Sequence, residues 1–245
     1  MAFSFGSGVL FGTRTDVANS TPVNFGLIQE VTMDETATIK ELIGQFQRPV
    51  AIARGMIKTT FKAKIAKIGI LPFADLFYGL PRTATPAAFA FNEAGTITTG
   101  AVTVANAATW LNDDGGVIRT TGGLPFTKVA SAPAAGQYSV AAGVYSFATG
   151  DNGTAVQISY TYAPVNAALQ KLVVTNQLLG TTPTFKALLY TTFLGVPITL
   201  SVNKCTSSKL SFQTKLEDFV IPEFDFSAFD DGTGAVLAWN FAEVA

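Results

Sequence analysis

No histidine occurs in these 245 residues, and there is a single cysteine. Without imidazole the chain lacks the usual general base, the Ser-His-Asp and Cys-His nucleophile systems, and the commonest transition-metal ligand. One cysteine, Cys205, excludes a disulfide framework within the chain, so folding rests on packing and strand pairing. With no histidine to activate it, Cys205 reads as a small buried apolar side chain. Charge is scarce as well: 13% of residues are charged and the formal net charge is −1. A nucleic-acid binder normally carries a basic excess on one face, and this composition argues against one. The most apolar stretch, residues 68–80, is interrupted by Pro72 and Asp75 and is too short to span a bilayer. The N-terminus lacks the basic start and continuous apolar core of a signal peptide. The expectation is a soluble protein, made and used without crossing a membrane.

What is present favours sheet. The chain holds 20 phenylalanines, with abundant Val, Thr and Gly, and these are residues of pleated, half-buried surfaces and of turns. Its length suits one large β domain or a domain carrying a smaller insert. The organising stretch is 45–68. From Met56 onward Ile57, Phe61, Ala63 and Ile65 take one parity and Lys58, Thr60, Lys62 and Lys64 the other, the mark of a strand with one dry and one wet face. Pro49 and Gly55 read as breaks ahead of that strand.

In chain order, residues 1–22 read as an extended arm whose Phe3, Phe5, Leu10 and Phe11 need a surface to dock on. Gly6, Gly8 and Gly12 imitate a phosphate loop, but no strand precedes them and the third glycine is misplaced, so they read as turn. Residues 23–42 form two strands joined near 33–35 or one long bent ribbon. Their Glu30, Asp34, Glu35 and Glu41 oppose the basic set Lys58, Lys62 and Lys64, read as a solvated face with cross-strand pairs. Ala74, Leu76, Phe77 and Leu80 share one side of a short helix with Pro72 in its first turn.

Composition shifts at Pro81, and residues 82–163 read as an inserted antiparallel β subdomain. Tyr138 and Val140, then Val144, Tyr145 and Phe147, then Val156, Ile158, Tyr160 and Tyr162 mark three strands, with Asp151-Asn152-Gly153 turning a final hairpin. Asn112-Asp113-Asp114-Gly115 and Asp230-Asp231-Gly232 read as turns, since neither has the alternating oxygen ligands of a calcium loop. Strands resume over 185–193 and 196–202, then 209–213, 219–229 and 236–241, with Trp239 and Phe241 on one face. No catalytic constellation emerges: Glu217 and Asp218 are adjacent, so on a strand they point to opposite faces. Catalytic, metal and cofactor-binding residues are therefore expected to be absent. Long two-faced strands, an apolar arm and an aromatic C-terminal region suit a subunit that repeats, with neighbours continuing its sheet edges.

Three stretches carry a resemblance to bacteriophage tail tube proteins, the major tail proteins of long-tailed phages. They are 41–68, where ELIGQFQRPVAIARG leads into the lysine-bearing strand; 136–162, with GVYSF and VQISYTY; and 209–229, KLSFQTKLEDFVIPEFDFSAF. The resemblance implies a mainly β fold, a tail-tube-type sandwich or barrel with one short helix. Its long hairpins would complete a ring β-barrel, usually hexameric. Residues 1–81 and 164–245 would form the core and 82–163 an insert on the outer surface. It implies a virion structural protein, assembled in the host bacterial cytoplasm, whose rings stack into the tail tube. Partners would be other copies of itself, the tape-measure protein, the tail terminator, baseplate or tip proteins, and double-stranded DNA passing without specific binding. A conduit should not hold DNA, so its wall is expected to be Thr, Ser, Gln and acidic, with Glu30, Thr32, Asp34, Thr36 and Thr38 as candidates. Lys58, Lys62 and Lys64 would then pair with acids of an adjacent subunit or turn outward. Subunit contacts would fall on Phe3, Phe5, Leu10, Phe11, those three lysines, Phe224, Phe226 and Phe229. A non-stacking terminator or baseplate ring, or a carbohydrate-binding β module at host surfaces, is the alternative reading.

Overall fold

The computed structural model describes residues 6–67, 69–84, 86–166, 168–193, 196–214 and 216–241. In chain order the strands are β1 (Val9–Arg14), β2 (Val23–Asn24), β3 (Ile28–Ile43), β4 (Pro49–Ile65), β5 (Arg82–Thr83), β6 (Ala88–Thr96), β7 (Ala101–Thr103) and β8 (Trp110–Arg119). They continue as β9 (Thr127–Lys128), β10 (Gln137–Ala141), β11 (Val144–Phe147), β12 (Ala155–Tyr162), β13 (Lys171–Leu172), β14 (Thr184–Phe193), β15 (Val196–Ser211), β16 (Glu223–Ala228) and β17 (Leu237–Phe241). The protein is mainly β, and its contacts divide it into two compact units, Met1–Pro81 with Leu172–Ala245, and Arg82–Lys171.

The first unit is one eight-stranded sheet in the order β2-β1-β14-β15-β16-β4-β3, with β17 also paired to β15. It is open rather than a closed barrel among the described residues, and its strands pack around one core, with Phe25 after β2 reaching Phe224 of β16 at 5.2 Å and Leu76 of a short helix filling in beside them. Alternation on β4 works as expected from Thr59 onward: Phe61, Ala63 and Ile65 are buried while Thr60, Lys62 and Lys64 are not. Phe224 and Phe226 of β16 stand opposite Ala63 and Phe61, and Phe61 stacks on Phe226 with ring centroids 4.9 Å apart. The arm expected over residues 1–22 is corrected by β1, which pairs with β14 along its whole length and buries Leu10. The start of β4 is corrected too. The strand begins at Pro49 and passes through Gly55, because β3 supplies a partner all the way and absorbs the misfit as register shifts. Residues 28–43 accordingly form one strand, not two.

The helix is a π-helix, Pro72–Tyr78, closed by Gly79 at φ 65°, whose N–H bonds the Ala74 carbonyl. It buries Ala74 and Leu76, and Ser207 donates its hydroxyl to the Leu76 carbonyl at 3.2 Å. Gly12 lets it sit this close. A Cβ there would lie 2.5 Å from Leu76 Cδ1 and 3.2 Å from Phe25 Cε2.

The second unit is a small sandwich. A four-stranded sheet β7-β11-β10-β9 and a three-stranded sheet β6-β12-β8 bury Tyr138, Tyr145, Phe147, Val117, Val156, Ile158 and Tyr160 in one core. The three strands read from 136–162 form, but the expected last hairpin does not: β11 and β12 belong to different sheets, and a 3-10 turn at Thr149–Asp151 carries the chain between them. Asp151 turns inward there, accepting from Arg119 at 3.3 Å and from the Gly136 N–H at 2.9 Å. The boundary drawn at Ala163 falls instead at Lys171, since β13 pairs with β5 where the chain enters and leaves this unit.

Asp114 corrects a second turn assignment. It lies within β8, with its side chain 2% exposed, and accepts from Tyr138 Oη at 2.7 Å and Tyr145 Oη at 3.0 Å. Lys128 Nζ stands 2.9 Å from the same carboxylate. Burial pushes this carboxyl up, yet hydrogen bonds from Tyr138, Lys128, the Gly116 N–H and Tyr145 outweigh that and hold it below its usual range. The two phenols move up, first through burial and then through the facing carboxylate.

Candidate functional site

The feature that the first unit's own core does not explain is the β3–β4 hairpin. Its antiparallel register sets Glu30 opposite Lys64, Thr32 opposite Lys62, Asp34 opposite Thr60 and Thr36 opposite Lys58. Directly opposed residues of an antiparallel pair share a face, so four lumen candidates and all three lysines lie on one surface. Val31 and Met33, opposite Ala63 and Phe61, pack on the core from the other side. Thr38 sits at the register shift between Ala37 and Ile39 and donates to the Met56 carbonyl at 3.4 Å.

Within the single chain Lys62 and Lys64 already pair with carboxylates on this face. Lys64 Nζ bonds Glu30 at 2.5 Å and Lys62 Nζ lies 3.0 Å from Glu223 on β16. The same surface continues onto β16 and β15, where Asp225 opposes both Lys62 and Lys209, and Lys209 Nζ reaches Glu223 at 3.3 Å. Where these strands pair, carboxylates Glu30, Asp34, Glu223 and Asp225 stand among ammoniums Lys58, Lys62, Lys64 and Lys209, four of each. The Lys64 hydrogen bond, then that of Thr32, holds the Glu30 carboxyl below its usual range, and Lys62 does the same for Glu223. Parity alone left this open. Only the register, with opposed residue numbers of even sum, joins the two polar rows.

Beyond Thr59 the hairpin runs clear of the core, and every residue from Pro49 to Lys58 is exposed. This is not a polar extension. Ile39, Leu42, Ile43, Val50, Ile52 and Met56 are all exposed, and Phe46 at its tip is 72% exposed. Ile39 opposes Arg54 and Ile52 opposes Glu41, so apolar and charged side chains alternate along one face. A two-stranded ribbon standing alone in water is marginal, and exposed apolar side chains add nothing to its stability there. The outer edge of β3, a 16-residue strand, has no partner strand among the described residues.

The contact candidates divide differently from expectation. Leu10, Phe224 and Phe226 are buried in the chain's own core and are not available to a neighbour, because β1 and β16 are interior strands of the sheet. Phe11 is half-buried opposite Leu188, and Phe229 is partly exposed with Lys204 Nζ 5.4 Å from its ring centroid. Lys58 is exposed opposite Thr36. Phe3 and Phe5 lie outside the described residues. Trp239 and Phe241, expected on one face, stack with ring centroids 5.4 Å apart and line, with Leu189, Ile198 and Leu200, a cavity of about 260 Å³.

Asp230 and Asp231 form the turn expected of them, the Asp230 carboxylate accepting from the N–H groups of Gly232 and Gly234. Cys205 is buried, and burial pushes its thiol up to about 12. No group of three or more Cys, Asp or Glu side chains among the described residues is placed to hold a metal ion. No helix among them is long and apolar enough to cross a membrane. Comparison with protein-family models and with curated proteins finds no match.

Proposed function

We propose that this chain is a self-assembling structural protein whose copies form rings that stack into a tube, of the phage tail tube kind. The observation that carries the reading is the β3–β4 hairpin, a long ribbon with exposed apolar side chains outside the core, whose outer strand β3 has no partner strand among the described residues. Both needs are met at once by another copy, whose backbone continues the sheet and whose side chains cover the isoleucines. In this reading the balanced polar face of Glu30, Thr32, Asp34, Thr36 and the lysines forms the channel wall. The pairing of Lys62 and Lys64 to carboxylates supports that role, since phosphates passing such a wall meet no net cation and are not retained. The tape-measure protein, the terminator and tip proteins, and double-stranded DNA in transit are the partners this role implies, and the virion tail is its place. The role is structural rather than catalytic.

Sizing and negative-stain microscopy of the purified protein test it: rings or tubes are expected, and a concentration-independent monomer overturns it. The variant Ile39→Asp with Ile52→Asp sharpens the test. Burying one isoleucine stabilises a contact by about 1.5–3 kcal/mol, so the pair should weaken each contact by at least about a hundredfold. Both side chains are exposed in the single copy, so circular dichroism and melting temperature of the dissociated variant should match the parent monomer. Tubes that persist in the double variant would remove the hairpin from the contact.

A further inference from the structure

The outer face of the three-stranded sheet in the second unit carries a feature that neither its core nor the tube reading uses. On β6, Phe89 and Phe91 both point away from the core, 56% and 75% exposed, with ring centroids 6.3 Å apart and planes 33° apart. Phe89 lies beside Gly115, where a Cβ would stand 3.2 Å from its Cε2. Beyond Phe91 the face hollows into a trough of about 360 Å³, walled on the far side by Pro125. Gly116 opens its floor: φ is 101° and an added Cβ would meet nothing within 4 Å.

The polar groups in this trough are few, uncharged and partly unused. Asn92 takes a positive φ of 55°, and its N–H and Oδ1 are both engaged by the Ser159 hydroxyl, at 3.1 and 3.3 Å. That anchors the Asn92 side chain while its Nδ2 keeps no partner among the described residues, and the whole Gln157 amide is likewise without one. No ionisable side chain lines the trough.

We propose that this trough is a binding site for a neutral saccharide. A pyranose has one face of C–H groups that packs flat on an aromatic ring, and a rim of hydroxyls that both donate and accept. The Phe91 ring supplies the first surface. The Gln157 amide offers one donor group and one acceptor, and Asn92 Nδ2 a further donor, within a span of about one or two sugar rings. The absence of charge selects among ligands. A nucleic acid or an acidic polysaccharide needs cations against its phosphates or carboxylates, and this lining has none. A bare glycine floor beside a fixed amide also suits close approach of hydroxyls better than it suits a ridge of apolar side chains.

The site needs nothing from assembly, so its test is independent of the tube. The full chain is titrated calorimetrically with maltohexaose, cellohexaose, mannohexaose and chitohexaose, with oligogalacturonate as the charged comparison. At least one neutral oligosaccharide should bind at micromolar to millimolar concentration and the charged one should not. Phe91→Ala should weaken that binding by about tenfold or more, and Gln157→Ala by several-fold. Phe91 is exposed, so the melting temperature should not move. Silence from all four neutral probes overturns the site, as does binding that Phe91→Ala leaves intact. A change in oligomeric size on Phe91→Ala, without any saccharide response, would reassign the face to contact between copies and equally overturn it.

Discussion

Asp114→Ala is expected to destabilise the second unit by about 3–5 kcal/mol, because it strips a buried network of its only acceptor. Tyr138 and Tyr145 are both buried and both donate to this carboxylate. Without it two hydroxyls are left unsatisfied in an apolar core, each costing about 1–3 kcal/mol. Lys128 loses little, since its side chain is 55% exposed and returns to water. Tyr138→Phe or Tyr145→Phe, which remove a donor and leave the acceptor served by others, should each cost less. Hydrogen exchange read by peptide distinguishes this from general damage: protection should fall within 86–166 and hold within 184–211. An alanine variant with unchanged protection would show that the network does not support the core.

The same network gives the unit a bounded pH range. The Asp114 carboxyl is lowered in the folded state, so its contribution is complete above the unfolded pKa of about 4 and is lost as pH falls through the lower folded value. The phenols are raised, so theirs is complete below an unfolded pKa of about 10 and is lost as pH climbs past it. Protection within 86–166 should therefore fall at both extremes, and in Asp114→Ala the acid limb should flatten.

Much of this was legible in the sequence where period-two alternation is strong. Phe61, Ala63 and Ile65 on β4, and Tyr138, Tyr145, Phe147, Val156, Ile158 and Tyr160 in the second unit, fall on buried faces as their spacing says. The failures share a cause. Local texture makes Leu10, Phe224 and Asp114 look like arm, subunit contact and turn, but each is fixed by a partner far along the chain: Leu189 for Leu10, Ala63 for Phe224, Tyr138 and Tyr145 for Asp114. Gly55 and Pro49 look like breaks only if β4 is considered without β3 beside it. The candidate polar face was legible residue by residue, whereas its charge balance depends on a register that no single strand encodes.

Phe224 and Phe46 make the distinction between core and contact measurable. Phe224 is flanked by Glu223 and Asp225 and Phe46 by Gln45 and Gln47, each with a proline two or three residues away, so both lie in polar local sequence. Phe224 is 0% exposed and sits among Phe25 at 5.2 Å, Phe77 at 6.1 Å and Phe185 at 6.2 Å, so it joins β16 to the helix and to the far side of the sheet. Phe224→Ala should cost the first unit about 3–5 kcal/mol through lost transfer energy and an unfilled cavity, lowering the denaturant midpoint in proportion. Phe46→Ala, at an exposed hairpin tip, should change monomer stability by less than about 0.5 kcal/mol. Its effect is reserved for self-association, where an exposed ring has area to bury. The paired measurement is a denaturant titration under dissociating conditions beside sedimentation of the native protein. Phe224→Ala should move the first and Phe46→Ala the second, and the reverse pattern would place the core of this sheet somewhere other than around Phe224.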